Sequence, residues 1–213
     1  MKYTTHKGFS DDPSKSILVF GMSGVGKSHV SSVLTSSGSW ASYSVDRRIC
    51  SILQTHILHQ YRPDLQGRVK TAMAHGNLNP LARYLGKPGS ERLGGLDFAE
   101  YQERQALHAK AEELALIEAP KVFDVARTTA GSAKNFICDT GGSICEVLDP
   151  IKNNNLLSAM SRRMLFVYIE AEEDYDDVLI ERFKKDPKPM YYRPDFLSAK
   201  WAEYLDERSL EAS

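Results

Sequence analysis

Short apolar runs alternate with stretches of helical periodicity along most of the chain. The first run, SILVF at Ser16–Phe20, is apolar and β-branched without alternation, the pattern of a strand covered on both faces. In HVSSVLTSSG the apolar residues Val30, Val33 and Leu34 keep a helical spacing, and Gly38 is the expected stop. WASYSVD at Trp40–Asp46 alternates as a second strand and leads into RRICSILQTHILHQY, which reads as one helix. Phe136–Cys138 predicts a third strand and Met164–Ile169 a fourth. EEDYDDVLIERFKKDPKP then reads as a helix with Val178, Leu179 and Phe183 on its inner face.

The middle of the chain is less regular. Arg62–Phe98 is rich in Gly, Pro and Asn and reads as a loop around a short helix. FAEYQERQALHAKAEELALIEA follows as a long amphipathic helix, with Tyr101, Leu107, Leu114 and Ile117 as inward candidates. Strands alternating with helices predict an α/β fold in three layers. Its sheet would be mostly parallel, of four to five strands, with helices on both faces.

Composition narrows the function classes. The chain has 213 residues, enough for one sizeable core with an inserted element rather than two independent domains. Its 42% hydrophobic and 26% charged content is that of a globular protein in water. A net charge of −1 gives no global argument for nucleic acid or an acidic membrane as partner, so any anion site must be local. Cys50, Cys138 and Cys145 form no CxxC pair, which fits a reducing compartment. The N-terminal stretch MKYTTHKGFSDDPSKS has no apolar core of signal-peptide length, and no run of about 18 apolar residues suggests a membrane span. A cytoplasmic location is the expectation. Nothing in the pattern sets an oligomeric state.

The clearest chemistry lies between the first strand and the first helix. GMSGVGKS fits G-x-x-x-x-G-K-[ST] at Gly21, Gly26, Lys27 and Ser28. Glycines permit positive φ, so the backbone N–H groups from Gly21 through Ser23, Gly24, Val25 and Gly26 can face one anion. Ser28 and His29 fall in the first turn of the following helix, which adds unpaired donors and the positive end of its dipole. A phosphate cradle is expected, with Lys27 on the β- and γ-phosphates of ATP and the Ser28 hydroxyl on Mg²⁺.

Later segments supply candidates at other strand ends, where a doubly wound fold places its functional groups. Asp46 is either the N-cap of the helix it precedes or a group facing substrate, and one residue can be both. Asp139, ending the third strand, is placed as a Walker-B carboxylate would be to meet Mg²⁺, or caps an ordinary turn. Gly141 and Gly142 allow close backbone approach to a ligand. The basic segment with Arg182, Lys184, Lys185 and Lys188 is suited to closing over ATP, giving a lid at about 184–195. YRPD at Tyr61–Asp64 and again at Tyr192–Asp195 reads as coincidence, and Asn153–Asn155 as loop.

Taken in order, GMSGVGKS, Asp46, CDTGGS and LFVYIEA…ERFKKDPKPM resemble the shikimate kinase family, within the nucleoside-monophosphate-kinase-like P-loop proteins. The cradle is also similar to that of gluconate kinases. The resemblance covers roughly residues 16–192, and only the cradle is highly specific. It implies a single P-loop NTPase domain that transfers the γ-phosphoryl group of ATP, with Mg²⁺, to the hydroxyl of an unidentified small molecule. Asp46 would serve that hydroxyl, Gly141, Gly142 and Ser143 would contact the acceptor, and Arg182 would lie at the nucleotide. Lys188 would stand where the family has a lid arginine, completing a catalytic set with Lys27 and Asp46.

Departures from the family matter. Ser44 stands where members carry a second Asp, and YQERQ at Tyr101–Gln105 offers Gln102 where members carry an arginine, so shikimate is not the expected acceptor. The chain stops after FLSAKWAEYLDERSLEAS, short of the family's last strand and helix, so either that strand is absent or the chain is a truncated form. The alternatives are an ATP-dependent switch, or a degenerate kinase or weak ATPase acting as a binding module. DTGG fits the D-x-x-G of GTP switches but lies over a hundred residues past the cradle, and no Asn-Lys-x-Asp motif accompanies it.

Overall fold

Four strands, β1 (Ser16–Phe20), β2 (Trp40–Ser44), β3 (Asn135–Asp139) and β4 (Leu165–Tyr168), form one all-parallel sheet in the order β2-β3-β1-β4. They are seen in a computed structural model, which describes residues 2–90, 92, 94–129, 133–172, 175–185 and 187–211, with backbone alone at 209–211. Ile17 lies opposite Ile137 and Leu18 opposite Cys138, so the central pair is in register along its apolar length. Parallel strands covered on both faces need apolar residues at successive positions, and Leu18, Val19, Ile137 and Cys138 are all fully buried.

Alternate strand positions feed two cores. Leu18, Phe136 and Cys138 face the larger one with α3 (Val45–Ile52), α7 (Phe98–Thr128) and α9 (Asn154–Ser161). Ile17, Val19 and Ile137 face a smaller one, where α1 (His6–Asp11) brings Phe9 and α2 (Lys27–Ser36) brings Leu34. Helices thus lie on both faces, as the alternation predicts. Gly38, with φ +71° and its N–H on the Thr35 carbonyl, ends α2 at the expected place. Val30 and Val33 of α2 are exposed, however, and it is Lys27 and Ser31 that the helix buries.

Several segments differ from the sequence pattern for local reasons. RRICSILQTHILHQY breaks at Leu53 into α3 and α4 (Gln54–Leu58), with Leu53 and Ile57 both in the larger core. Arg62–Phe98 holds two helices, α5 (Pro63–Ala74) and α6 (Asn79–Leu85), before its loop; Glu91 and Leu93 lie outside the described residues. Pro63 and Pro80 look like helix breakers in sequence but occupy the first turn, where a missing N–H breaks no hydrogen bond. The two YRPD stretches have a common role. Each opens a helix with Pro first and Asp in the first turn, α5 at one and α11 (Pro194–Glu211) at the other. Asn153 is the N-cap of α9, so the asparagine run is a helix start rather than loop.

α7 turns a different face inward from the one its large apolar residues mark. Tyr101 is buried as expected, but Leu107, Leu114 and Ile117 are exposed. The inner stripe is Tyr101, Gln105, His108, Glu112, Ala115, Ala119 and Phe123, with Leu116 beside it. Small alanines let α3 and the sheet approach closely, and polar Gln105, His108 and Glu112 lie inside at the N-terminal half. No helix among the described residues is long and apolar enough to cross a membrane.

The orientation of α7 is testable by contrast. Leu116→Ala should cost about 2–5 kcal/mol in urea unfolding because it opens a cavity at a fully buried position. Leu114→Ala should stay within about 0.5 kcal/mol. Equal losses would contradict the observed helix face.

Candidate functional site

The carboxyl ends of β1, β2 and β3 lie side by side and deliver Gly21, Asp46 and Asp139 to one edge of the sheet. After β1 the chain turns through Gly21–Gly26. A Cβ on Gly21 would lie 2.2 Å from the main-chain oxygen of Ile169, so no other residue fits there. Gly26, at φ +100°, is the N-cap of α2 in the left-handed region and supplies no capping side chain. The first-turn N–H groups of α2, those of Ser28 and His29 among them, therefore have no side chain capping them from Gly26. His29 itself is exposed.

The loop closes around Lys27. Its side chain is 7% exposed, and its ammonium donates to the carbonyl oxygens of Gly21 at 2.9 Å and Met22 at 2.8 Å. Burial lowers its pKa, against the opposing pull of Asp46, Asp139 and Glu112. Ser28 hydrogen-bonds Asp139, whose pKa burial raises despite that bond. Asp139 Oδ1 has no hydrogen-bond partner among the described residues although the residue is buried. A hydroxyl and a carboxylate with a spare oxygen are hard donors suited to Mg²⁺. Among the described residues no group of three or more His, Cys, Asp or Glu could hold a metal alone, so phosphate and water would complete the shell.

Asp46 is not the N-cap. Ser44 caps α3 by accepting from the Arg47 N–H at 3.4 Å, and Asp46 lies within the first turn. A serine capping from the last residue of the strand leaves the carboxyl two positions later free to turn toward the sheet edge. As a whole residue Asp46 is half-buried, yet its carboxyl is closely surrounded; burial first, and Asp139 second, push it up to about 6. Lys27 and Lys188 act in the opposite direction, which puts Lys188 within electrostatic range of the site.

Sequence reasoning misses Glu112. It is fully buried on α7 and accepts from the Ser143 hydroxyl at 2.6 Å through Oε2, while Oε1 has no hydrogen-bond partner among the described residues. Burial pushes its carboxyl up to about 7, Asp46 adds to the rise, and Ser143 and Lys27 oppose it. The two carboxylates meet over Gly141: a Cβ there would lie 2.8 Å from Asp46 Oδ1 and 3.1 Å from Glu112 Oε1. One turn earlier, His108 is buried with neither ring nitrogen bonded to any described residue, and desolvation lowers it to about 4, so it is neutral. The signal for these residues was the polar 105–108–112 spacing on α7, hidden by the larger apolar residues on its other faces. Gln102, by contrast, is partly exposed and reaches Ser198 at 3.5 Å, away from these buried groups.

Gly142 completes the turn after β3, and a Cβ on it would come within 3.0 Å of Ser23 Cβ. Thr140 ties this turn to β1 by donating to the Val19 carbonyl at 3.0 Å. Arg182, on α10 (Asp176–Lys185), donates to the Gly24 carbonyl at 3.2 Å and so reaches the loop as expected. Lys184 is engaged with Glu181 at 2.8 Å on the exposed side of α10. Only Leu179 of the three expected inward residues of α10 is buried; Val178 and Phe183 are exposed. The span expected as a lid, 184–195, comprises the end of α10, an irregular stretch and the start of α11, with Asp186 outside the described residues. Between α10, the Gly142 turn and Met190–Phe196 lies an open cavity of about 730 Å³.

The raised carboxyl of Glu112 makes stability depend on pH. The folded chain keeps a proton that the unfolded chain releases above about 4.5, so stability falls as pH rises from there to about 7. Glu112→Gln removes that proton exchange. Its stability should exceed that of the parent by about 1–3 kcal/mol at pH 8 and approach it at pH 4.5 in denaturant titrations. Parallel profiles for the two proteins would show that Glu112 titrates normally. In comparisons with known proteins, the chain matches no family model, no curated protein and no solved structure.

Proposed function

We propose that the protein is an ATP-dependent kinase of a small-molecule hydroxyl, in the P-loop manner that the sequence suggests. One observation carries the reading. A glycine loop wraps a buried lysine at a sheet edge, and two carboxylates converge beside it on a residue with no side chain. In this reading the triphosphate lies along Gly21–Ser28 and Lys27 exchanges its two carbonyl partners for β- and γ-phosphate oxygens. Ser28 and Asp139 would hold Mg²⁺, which supplies neutralisation of phosphate charge. Arg182 and Lys188 add positive charge from the α10 side.

Transfer needs an acceptor oxygen in line with the γ-phosphorus and somewhere for its proton to go. Asp46 takes the proton as the acceptor oxygen bonds to phosphorus and the bond to the ADP oxygen breaks. Two buried carboxyls at one point do not both ionise easily, so the Asp46–Glu112 pair holds about one shared proton near neutral pH. The ionised member is the base, and the protonated one limits negative charge facing the incoming phosphates. Ser143 orients Glu112.

The test is ADP formation from Mg·ATP across a panel of hydroxyl compounds, with Asp46→Asn alongside. An acceptor should stimulate ADP release, and Asp46→Asn should lose at least about a hundredfold of it. The affinity of that variant for a fluorescent ATP analogue should change by no more than about threefold. Equal losses of binding and turnover would make Asp46 structural, and no stimulation by any acceptor would favour a binding module.

A further inference from the structure

The cavity beside the loop has a lining that suits a particular class of ligand. Gly21, Met22 and Ser23 form one part of its wall and Gly142 another, so it abuts the loop and the turn that carries Gly141. The aromatic side chains of Tyr168, Phe183, Tyr191, Tyr192 and Phe196 surround it, with Leu179 and Ile180 of α10 between them. Met22, Tyr168, Ile180, Phe183 and Phe196 are each more than a third exposed. So many large apolar side chains open to solvent in one concavity mark a binding surface rather than an unfinished core.

Charge is scarce in the lining. Among the described residues of the lining the one cation is Arg193, whose guanidinium is engaged: Nε lies 3.0 Å from a Glu146 carboxylate oxygen, and Nη2 donates to the Cys145 carbonyl at 3.0 Å. Asp195 lies in the first turn of α11, where an acidic group is favoured. An anionic ligand would thus meet two carboxylates and a cation already paired. A polyhydroxylated ligand would place its hydroxyls against aromatic faces, at a cost for each one left without a partner. The wall is already built: the Tyr192 N–H donates to Gln105 of α7 at 3.0 Å, and Arg193 fastens the same stretch to the short helix Ile144–Val147 that follows β3.

We propose that this cavity takes the acceptor, and that the acceptor is an uncharged, ring-bearing alcohol whose hydroxyl reaches the Asp46–Glu112 pair past Ser23 and Gly142. The proposal rests on the kinase reading for the fate of the hydroxyl, but not for the class of ligand. At about 730 Å³ the cavity falls in the range that encloses a molecule of drug-like size, larger than a simple polyol needs.

Two readouts separate the claims. The neutral dye 1-N-phenylnaphthylamine should bind the purified chain at one saturable site without ATP. 2-Naphthalenemethanol and benzyl alcohol should displace it, and gluconate, glucose and shikimate should not. Phe183→Ser and Ile180→Ser, at partly exposed positions that do not hold the fold, should each weaken the dye at least about tenfold. In the ADP assay the ring alcohols should stimulate turnover, and Phe183→Ser should lower kcat/KM for them about tenfold while leaving KM for ATP unchanged. Absent or unsaturable dye binding, binding insensitive to both substitutions, or ADP release stimulated by gluconate or glucose instead would overturn the inference. If ring alcohols displace the dye while no compound stimulates ADP release, the ligand class stands and the kinase reading falls.

Discussion

The ammonium of Lys27 is buried, and the rest of the site is arranged around that fact. A charge removed from water needs compensation, and two backbone carbonyls and three nearby carboxyls supply it. Three ionised carboxylates would over-compensate and repel a nucleotide as well. Burial avoids this by raising Asp46, Glu112 and Asp139 toward their neutral forms, so the cluster carries less negative charge than its formula suggests. In the proposed reading such a site would tolerate an arriving anion and still retain a base.

That arrangement constrains the scaffold. Gly21 must lack a side chain because the Ile169 carbonyl occupies the space, and a side chain on Gly141 would displace the carboxylates of Asp46 and Glu112. α7 places His108 and Glu112 where a core helix would ordinarily carry Leu, and both His108 nitrogens and one Glu112 oxygen have no hydrogen-bond partner among the described residues. Such positions lower stability, and proteins retain them where chemistry uses them. The large core behind, from Leu18 through Leu116 to Met164, is what makes the cost bearable.

Much of this was legible in the sequence because its signals are local. The strands β1, β3 and β4 are short apolar runs and β2 an alternating one, and the loop is recognisable from eight consecutive residues. The position of Asp139 at the end of β3 follows from the strand-end rule. What was not legible depends on which way an element faces. The large apolar residues of α7 point to one face, while close packing against α3 and the sheet favours the face with small residues, which hid Glu112. Pro63 and Pro80 read as breakers because sequence alone does not separate a helix start from its interior. Ser44 rather than Asp46 caps α3, a choice between two good caps that only geometry settles.

The account stands or falls on whether the loop around Lys27 holds a triphosphate. Calorimetric titration of the purified chain with Mg·ATP, beside the same titration of Lys27→Ala, addresses this directly. The account predicts one binding site in the parent protein and a loss of at least about a hundredfold in affinity in the variant. Absence of binding in the parent, or equal affinity in the two, would contradict it.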